Sequence, residues 1–127
     1  MHKHDKKKIL AVVEDLLFTV KISDAAKRAG LDVEFVKSER DVADKATQEK
    51  PLLIILDLNF SAVEPLKLIS KIKSDNETRQ ISIIGYLSHV QGELKQQAQD
   101  AGANIVMARS AFSQNLQQIL KRHSGVV

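Results

Sequence analysis

The sequence predicts an α/β domain built on one doubly wound, five-stranded parallel sheet, in the order 2-1-3-4-5, with five helices. Three observations predict it. Leu52 to Leu56 is an unbroken run of five large apolar residues, the pattern of a central parallel strand covered by helices on both faces. Short apolar runs alternate with stretches of helical periodicity five times within 127 residues, which argues for repeated βα units joined by right-handed crossovers. The apolar runs also end in polar residues: Glu14-Asp15, Asp57, Ser88 and Arg109. Open α/β sheets hold their ligands in the crevice beyond the carboxyl ends of their strands.

Each element has its own local warrant. Ile9 to Val13 is a short apolar run closed by Glu14 and Asp15. Phe18, Ile22, Ala25, Ala26 and Ala29 then recur at helical spacing, and Gly30 is the expected stop. Leu31 to Val36 reads as a second strand, and Ser38 with Asp41 three residues later reads as the cap of a helix carrying Val42, Ala43 and Ala46. Pro51 leads into the third strand. Pro65 suits the first turn of the next helix, with Leu66, Leu68, Ile69 and Ile72 facing inward and residues 74–77 as its exit. Ile81 to Leu87 is the fourth strand. The helix after it has a stripe of Val90, Leu94, Ala98 and Ala101 opposite a nearly uncharged face that includes Gln97. Gly102-Ala103 turns into a fifth strand, Asn104 to Ala108. The last helix carries Phe112, Leu116, Ile119 and Leu120.

Composition removes several classes of function. The length suits one domain with one core, residues 9–123, behind a basic tail of residues 1–8. There is no cysteine, so no disulfide, thiol nucleophile or cysteine metal site exists. No segment reads as a signal peptide or a membrane span, so the expected location is the cytoplasm. The net charge of +3 is mild and owes much to Lys3, Lys6, Lys7 and Lys8. With four Phe and one Tyr, none interleaved with those lysines, direct nucleic-acid binding is disfavoured. His2, His4, His89 and His123 are too scattered in sequence to form a metal set.

The chemistry concentrates on three carboxylates. In the order 2-1-3-4-5, strands one and three are neighbours at the switch point, so Glu14, Asp15 and Asp57 should converge at one end of the sheet. Three carboxylates in one place repel unless a cation joins them, and hard oxygen ligands with open positions suit Mg²⁺. The blander alternative is that Asp57 caps a turn or the next helix. A flavin or nucleotide site on the same topology is disfavoured, because Glu14-Asp15 would repel a phosphate after strand one.

These residues resemble those of response-regulator receiver domains, over nearly the whole chain. Ile9 to Asp15 resembles that family's first strand and acidic pair, Pro51 to Ile72 its third strand and following helix, and Ala98 to Ala103 its approach to strand five. The resemblance implies a flavodoxin-like receiver fold. It implies Asp57 as phosphoacceptor, and Glu14, Asp15, Asp57 and the backbone carbonyl of Asn59 as Mg²⁺ ligands. Ser88 takes the place of the switch hydroxyl, and Arg109 stands where the family has lysine. The implied partners are a sensor histidine kinase or phosphotransfer protein and a downstream protein target, with a homodimer through the last two helices as a further possibility. Tyr86, Val106, Gln97 and Phe112 are candidate interface residues. No enzymatic activity is implied beyond the domain's own phosphorylation, and the chain is either a stand-alone receiver or an excised domain.

Several positions depart from the family pattern. Ser61 replaces its usual proline, Pro65 its glycine, Arg109 its lysine, Ser110 the proline after that lysine, and Val106 its aromatic switch, for which Tyr86 is a candidate substitute. Without proline at position 110, the Arg109–Ser110 peptide should be trans and Ser110 free to cap the last helix. These departures keep a second reading open, a degenerate receiver serving as a phosphorylation-independent interaction module.

Overall fold

The structure, a computed structural model, describes residues 7–88 and 92–124. His2, His4, His89, Val90 and most of the basic tail lie outside the described residues. The element order is β1 (Lys8–Val12), α1 (Leu16–Arg28), β2 (Asp32–Phe35), α2 (Glu39–Glu49), β3 (Leu53–Asp57), α3 (Pro65–Ser74), β4 (Ser82–Leu87), α4 (Gly92–Ala101), β5 (Ile105–Ala108) and α5 (Arg109–Ser124), with a 3₁₀ turn at Ser61–Val63. The five strands form one parallel sheet in the order β2-β1-β3-β4-β5, as expected. Register places Ile9 opposite Leu53 and Asp57 opposite Tyr86.

Period-two alternation sends successive side chains of each strand to opposite faces, and both faces are covered. Ile9, Ala11, Ile55 and Tyr86 face α1 and α5, where Phe18, Ile22 and Leu116 meet them. Leu10, Val12, Ile54 and Leu56 face α2, α3 and α4, through Val42, Ile69 and Ala98 among others. All of β3 is buried, which explains why its sequence shows no polar alternation. Each buried leucine, isoleucine, valine or phenylalanine side chain contributes about 1.5–3 kcal/mol of transfer free energy.

Local signals act much as read. Ser38 Oγ accepts the Asp41 N–H at 3.1 Å. Pro65 opens α3, and Glu64 before it takes φ +47, consistent with the steric bar against αR conformation before proline. Gly102, at φ +120, turns α4 into β5. A Cβ there would lie 2.8 Å from Lys73 Cγ, and Lys73 itself crosses to donate to the Ile81 carbonyl at 2.6 Å. Three boundaries differ from expectation. Lys8 belongs to β1 rather than to a tail, and β3 runs through Asp57, making the carboxylate its last residue. α5 begins at Arg109 without a loop. The Arg109–Ser110 peptide is trans, but Ser110 is the second residue of the helix rather than its cap, because β5 passes straight into α5.

Candidate functional site

Asp57 ends the central strand and is only 9% exposed. Its Oδ1 accepts the Asn59 N–H at 2.9 Å, and the Glu14 backbone also donates to it. Burial raises its pKa above the ordinary carboxylate value, the two backbone donors oppose that rise, and the nearby Glu14 charge adds to it. No salt bridge to Asp57 is found among the described residues. It is therefore a carboxylate whose charge is stabilised by backbone dipoles alone.

Asp15 has a different environment. It caps α1 by accepting the Leu17 N–H on Oδ1 at 2.8 Å, while its Oδ2 accepts from Arg109 Nη2 in an ion pair. The expected trio is thus not gathered: among the described residues no three acidic or imidazole side chains lie close enough to share a metal ion. Like charges repel, and Asp15 has a helix end and a guanidinium to turn toward. Glu14 and Asp57 remain electrostatically coupled, and Glu14 is exposed.

Ser88, beyond β4, is tied to the end of β3. Its N–H and its hydroxyl both donate to Asn59 Oδ1, at 2.8 and 3.1 Å. Asn59 thereby has two roles, its N–H on Asp57 and its side chain on Ser88. Sequence reading had given it only a backbone carbonyl.

Behind Asp57 lies an aromatic platform. Tyr86 stacks on Phe112 with centroids 5.0 Å apart and lies 5.1 Å from Phe18. The Arg109 guanidinium sits over Phe18 at 4.4 Å, and Lys21 Nζ approaches the same ring at 5.6 Å while donating to Ser113. The Tyr86 hydroxyl is buried with no hydrogen-bond partner among the described residues, and burial together with the Asp57 charge pushes its pKa far up. Two expectations are corrected here. Tyr86, Val106 and Phe112 are buried in the core of this chain rather than on its surface, leaving Gln97 as the exposed member of that set. Tyr86 does not substitute for an aromatic at 106 either: Val106 packs in the core toward α2, α3 and α4 and Tyr86 in the core toward α1 and α5, since Gly85, not Tyr86, is the β4 residue opposite Val106.

Sequence reading missed Phe18 as a cation platform, having taken it only as a core position. It also missed an exposed apolar patch on α1 beside the site, where Leu16, Leu17 and Val20 are 77%, 60% and 59% exposed. The signal was present, since all three fall off the Phe18-Ile22-Ala25 stripe.

No protein-family model and no curated protein matches the sequence. Solved structures do match the fold. A response regulator from Hahella chejuensis aligns with TM-score 0.84 at 21% identity over 94% of this chain and 96% of its own. The receiver domain of a sensor histidine kinase from Pseudomonas aeruginosa, with a magnesium ion coordinated in its active site cleft, aligns with TM-score 0.80 at 21% identity over 95% and 99%. A phosphorylated cyanobacterial phytochrome response regulator aligns with TM-score 0.75 at 22% identity over 93% and 91%. The chain has the receiver fold. Its five parallel strands and flanking helices place Asp57, Ser88 and Arg109 at one end of the receiver sheet, as the sequence led us to expect.

Whether this receiver site fits a hard divalent cation is decided by its donors. Asp57 presents a buried anion with no cationic partner among the described residues, and Glu14 adds a second carboxylate whose field destabilises the first. Such a pair is relieved by a cation. The oxygen donors of Glu14, Asp57 and the Asn59 carbonyl suit such an ion in kind, and Asp15 would add a third carboxylate once separated from Arg109.

Proposed function

We propose that the chain is a phosphoacceptor receiver of a two-component phosphorelay. In this reading Asp57 takes a phosphoryl group from a phosphohistidine on a sensor histidine kinase or phosphotransfer protein, and the product alters binding to a downstream protein. The observation that carries the proposal is the setting of Asp57: a buried carboxylate at the end of the central strand, raised in basicity by burial and aimed by the Asn59 N–H.

A carboxylate oxygen of Asp57 attacks phosphorus in line, the P–N bond to the donor imidazole breaks, and the imidazole leaves as Asp57 becomes an acyl phosphate. Burial limits solvation of the attacking anion, and the Asn59 donor holds its orientation. Glu14, Asp57 and the Asn59 carbonyl would hold a divalent cation, which would supply charge neutralisation for the phosphoryl oxygens. Ser88 then exchanges its hydrogen bond to Asn59 for one to a phosphoryl oxygen. That exchange releases the Asn59 side chain from Ser88 and shifts the balance between two conformations. Because Val106 is aliphatic, no aromatic rotamer at that position takes part. The exposed Leu16, Leu17 and Val20 offer the donor protein an apolar docking surface next to Asp57.

The test is intact-protein mass spectrometry after incubation with a small phosphodonor and Mg²⁺. One acid-stable, base-labile phosphoryl group is expected, and Asp57→Asn removes it. Absence of labelling of the wild type by small donors and by candidate histidine kinases would falsify the proposal. One observation favours the second reading, a phosphorylation-independent interaction module: Asp15 is already satisfied by Arg109 and the Leu17 N–H.

A further inference from the structure

We infer that Arg109 is a built-in counter-cation, which holds Asp15 and competes with any divalent ion that would use Asp15 as a ligand in the acidic pocket. The inference rests on the cation site proposed above and adds to it a residue that sets how readily that site fills.

Both oxygens of Asp15 are occupied, Oδ1 by the Leu17 N–H and Oδ2 by Arg109. Each oxygen keeps a second lone pair, but a metal bound there would sit beside the guanidinium, so the two cations repel and compete for the same carboxylate. Arg109 is itself held from two sides. Its Nη2 pairs with Asp15 Oδ2 while its Cζ lies 4.4 Å from the Phe18 ring centroid, and that ring is 4% exposed and packed against Tyr86 and Phe112. A guanidinium can make an ion pair through its edge and a cation–π contact through its face together, which a compact ammonium cannot reproduce. The backbone adds to the restraint, since Arg109 is the first residue of α5 and follows β5 with no intervening loop. With Asp15 neutralised, the pocket offers two carboxylates rather than three, so a divalent ion competes with Arg109 for its third.

Isothermal titration of the full chain with Mg²⁺ tests this. The side chains of Arg109 and Asp15 are about one-third exposed, so displacing their pair costs what a partly solvated ion pair costs, and Arg109→Gln should bind Mg²⁺ about three- to fivefold more tightly. Arg109→Lys, which keeps the charge and loses the stacked fork, should fall between Arg109→Gln and the wild type. Lys21→Gln controls for a general loss of positive charge, because Lys21 approaches the same ring without touching Asp15, and should shift affinity by less than about twofold. Adding Asp15→Asn to Arg109→Gln should cancel the gain. In the wild type, Mg²⁺ should move the Arg109 Nε resonance, a readout that serves even if a variant folds poorly. Equal affinity of Arg109→Gln and wild type, an equal gain in Lys21→Gln, or a stationary Arg109 resonance under saturating Mg²⁺ overturns the inference. So does failure of every variant to bind Mg²⁺. Failure of Asp57 to take phosphate, with the Arg109→Gln gain intact, overturns the proposed function and leaves this inference standing.

Discussion

Near the amino end of the sheet, Lys8 and Lys45 each pair with both Glu34 and Glu49, closing a ring of alternating charge between β1, β2 and α2. At the carboxyl end, Asp57 is more deeply buried than any of these, yet it has two backbone donors and a like-charged neighbour in place of a cation. The pKa directions follow. Lysine partners hold Glu34 and Glu49 below the ordinary value of 4.5, whereas burial lifts Asp57 above 3.8. The ring is an arrangement that favours the folded state. The Asp57 site holds a charge whose burial opposes folding, which is the condition expected where a group is kept for its reactivity.

The largest effect should come from removing the platform under the carboxyl-end charges. Phe112→Ala deletes a fully buried ring in contact with Tyr86 and Phe18, and should cost about 3–5 kcal/mol in denaturant unfolding. If the platform is specific to that end, amide exchange should rise more around Arg109 and Phe18 than around Lys8 and Glu34.

Breaking the ring should have a smaller effect and a distinct pH signature. Lys8→Met leaves Glu34 and Glu49 with Lys45 alone, and should cost about 0.5–1 kcal/mol at neutral pH, a value set by the partial exposure of these groups. Depressed carboxylate pKa values give stability that is present above 4.5 and lost as pH falls through the lower folded values. The difference between Lys8→Met and wild type should therefore shrink in acid. A difference constant down to pH 3 would show that the ring contributes nothing through its charges.

The sign reverses at the other end. The raised pKa of Asp57 means the folded state holds that proton more tightly than the unfolded state, so stability falls as pH rises through the window above 3.8. Asp57→Asn should raise the melting temperature at neutral pH by a few degrees, what about 1 kcal/mol produces in a domain of this size. That advantage should fade on acidification. Smallest of all, Tyr86→Phe removes an unpartnered buried hydroxyl while keeping the stacked ring. It should be neutral or stabilising by up to about 1 kcal/mol. A clear loss of stability would mean that the hydroxyl has a partner, such as a buried water.

The sheet order, the five βα units, the Ser38 cap, the Pro65 helix start and the strand-end positions of Asp57, Ser88 and Arg109 were legible in the residues alone. Apolar runs, helical stripes and turn residues act over a few neighbours, so their consequences can be read locally. Tertiary structure decided what those strand-end side chains touch. Asp15 and Arg109 are 94 residues apart in sequence, and only the packing of α5 against α1 brings the guanidinium to the carboxylate instead of leaving three acids to share a metal. The same packing buried Tyr86 and Phe112, which had been expected at an interface, and left Leu16, Leu17 and Val20 exposed. A residue's type and spacing predict the element it occupies. Which of several nearby charges it pairs with depends on differences in distance and burial that exist only once the helices are docked on the sheet.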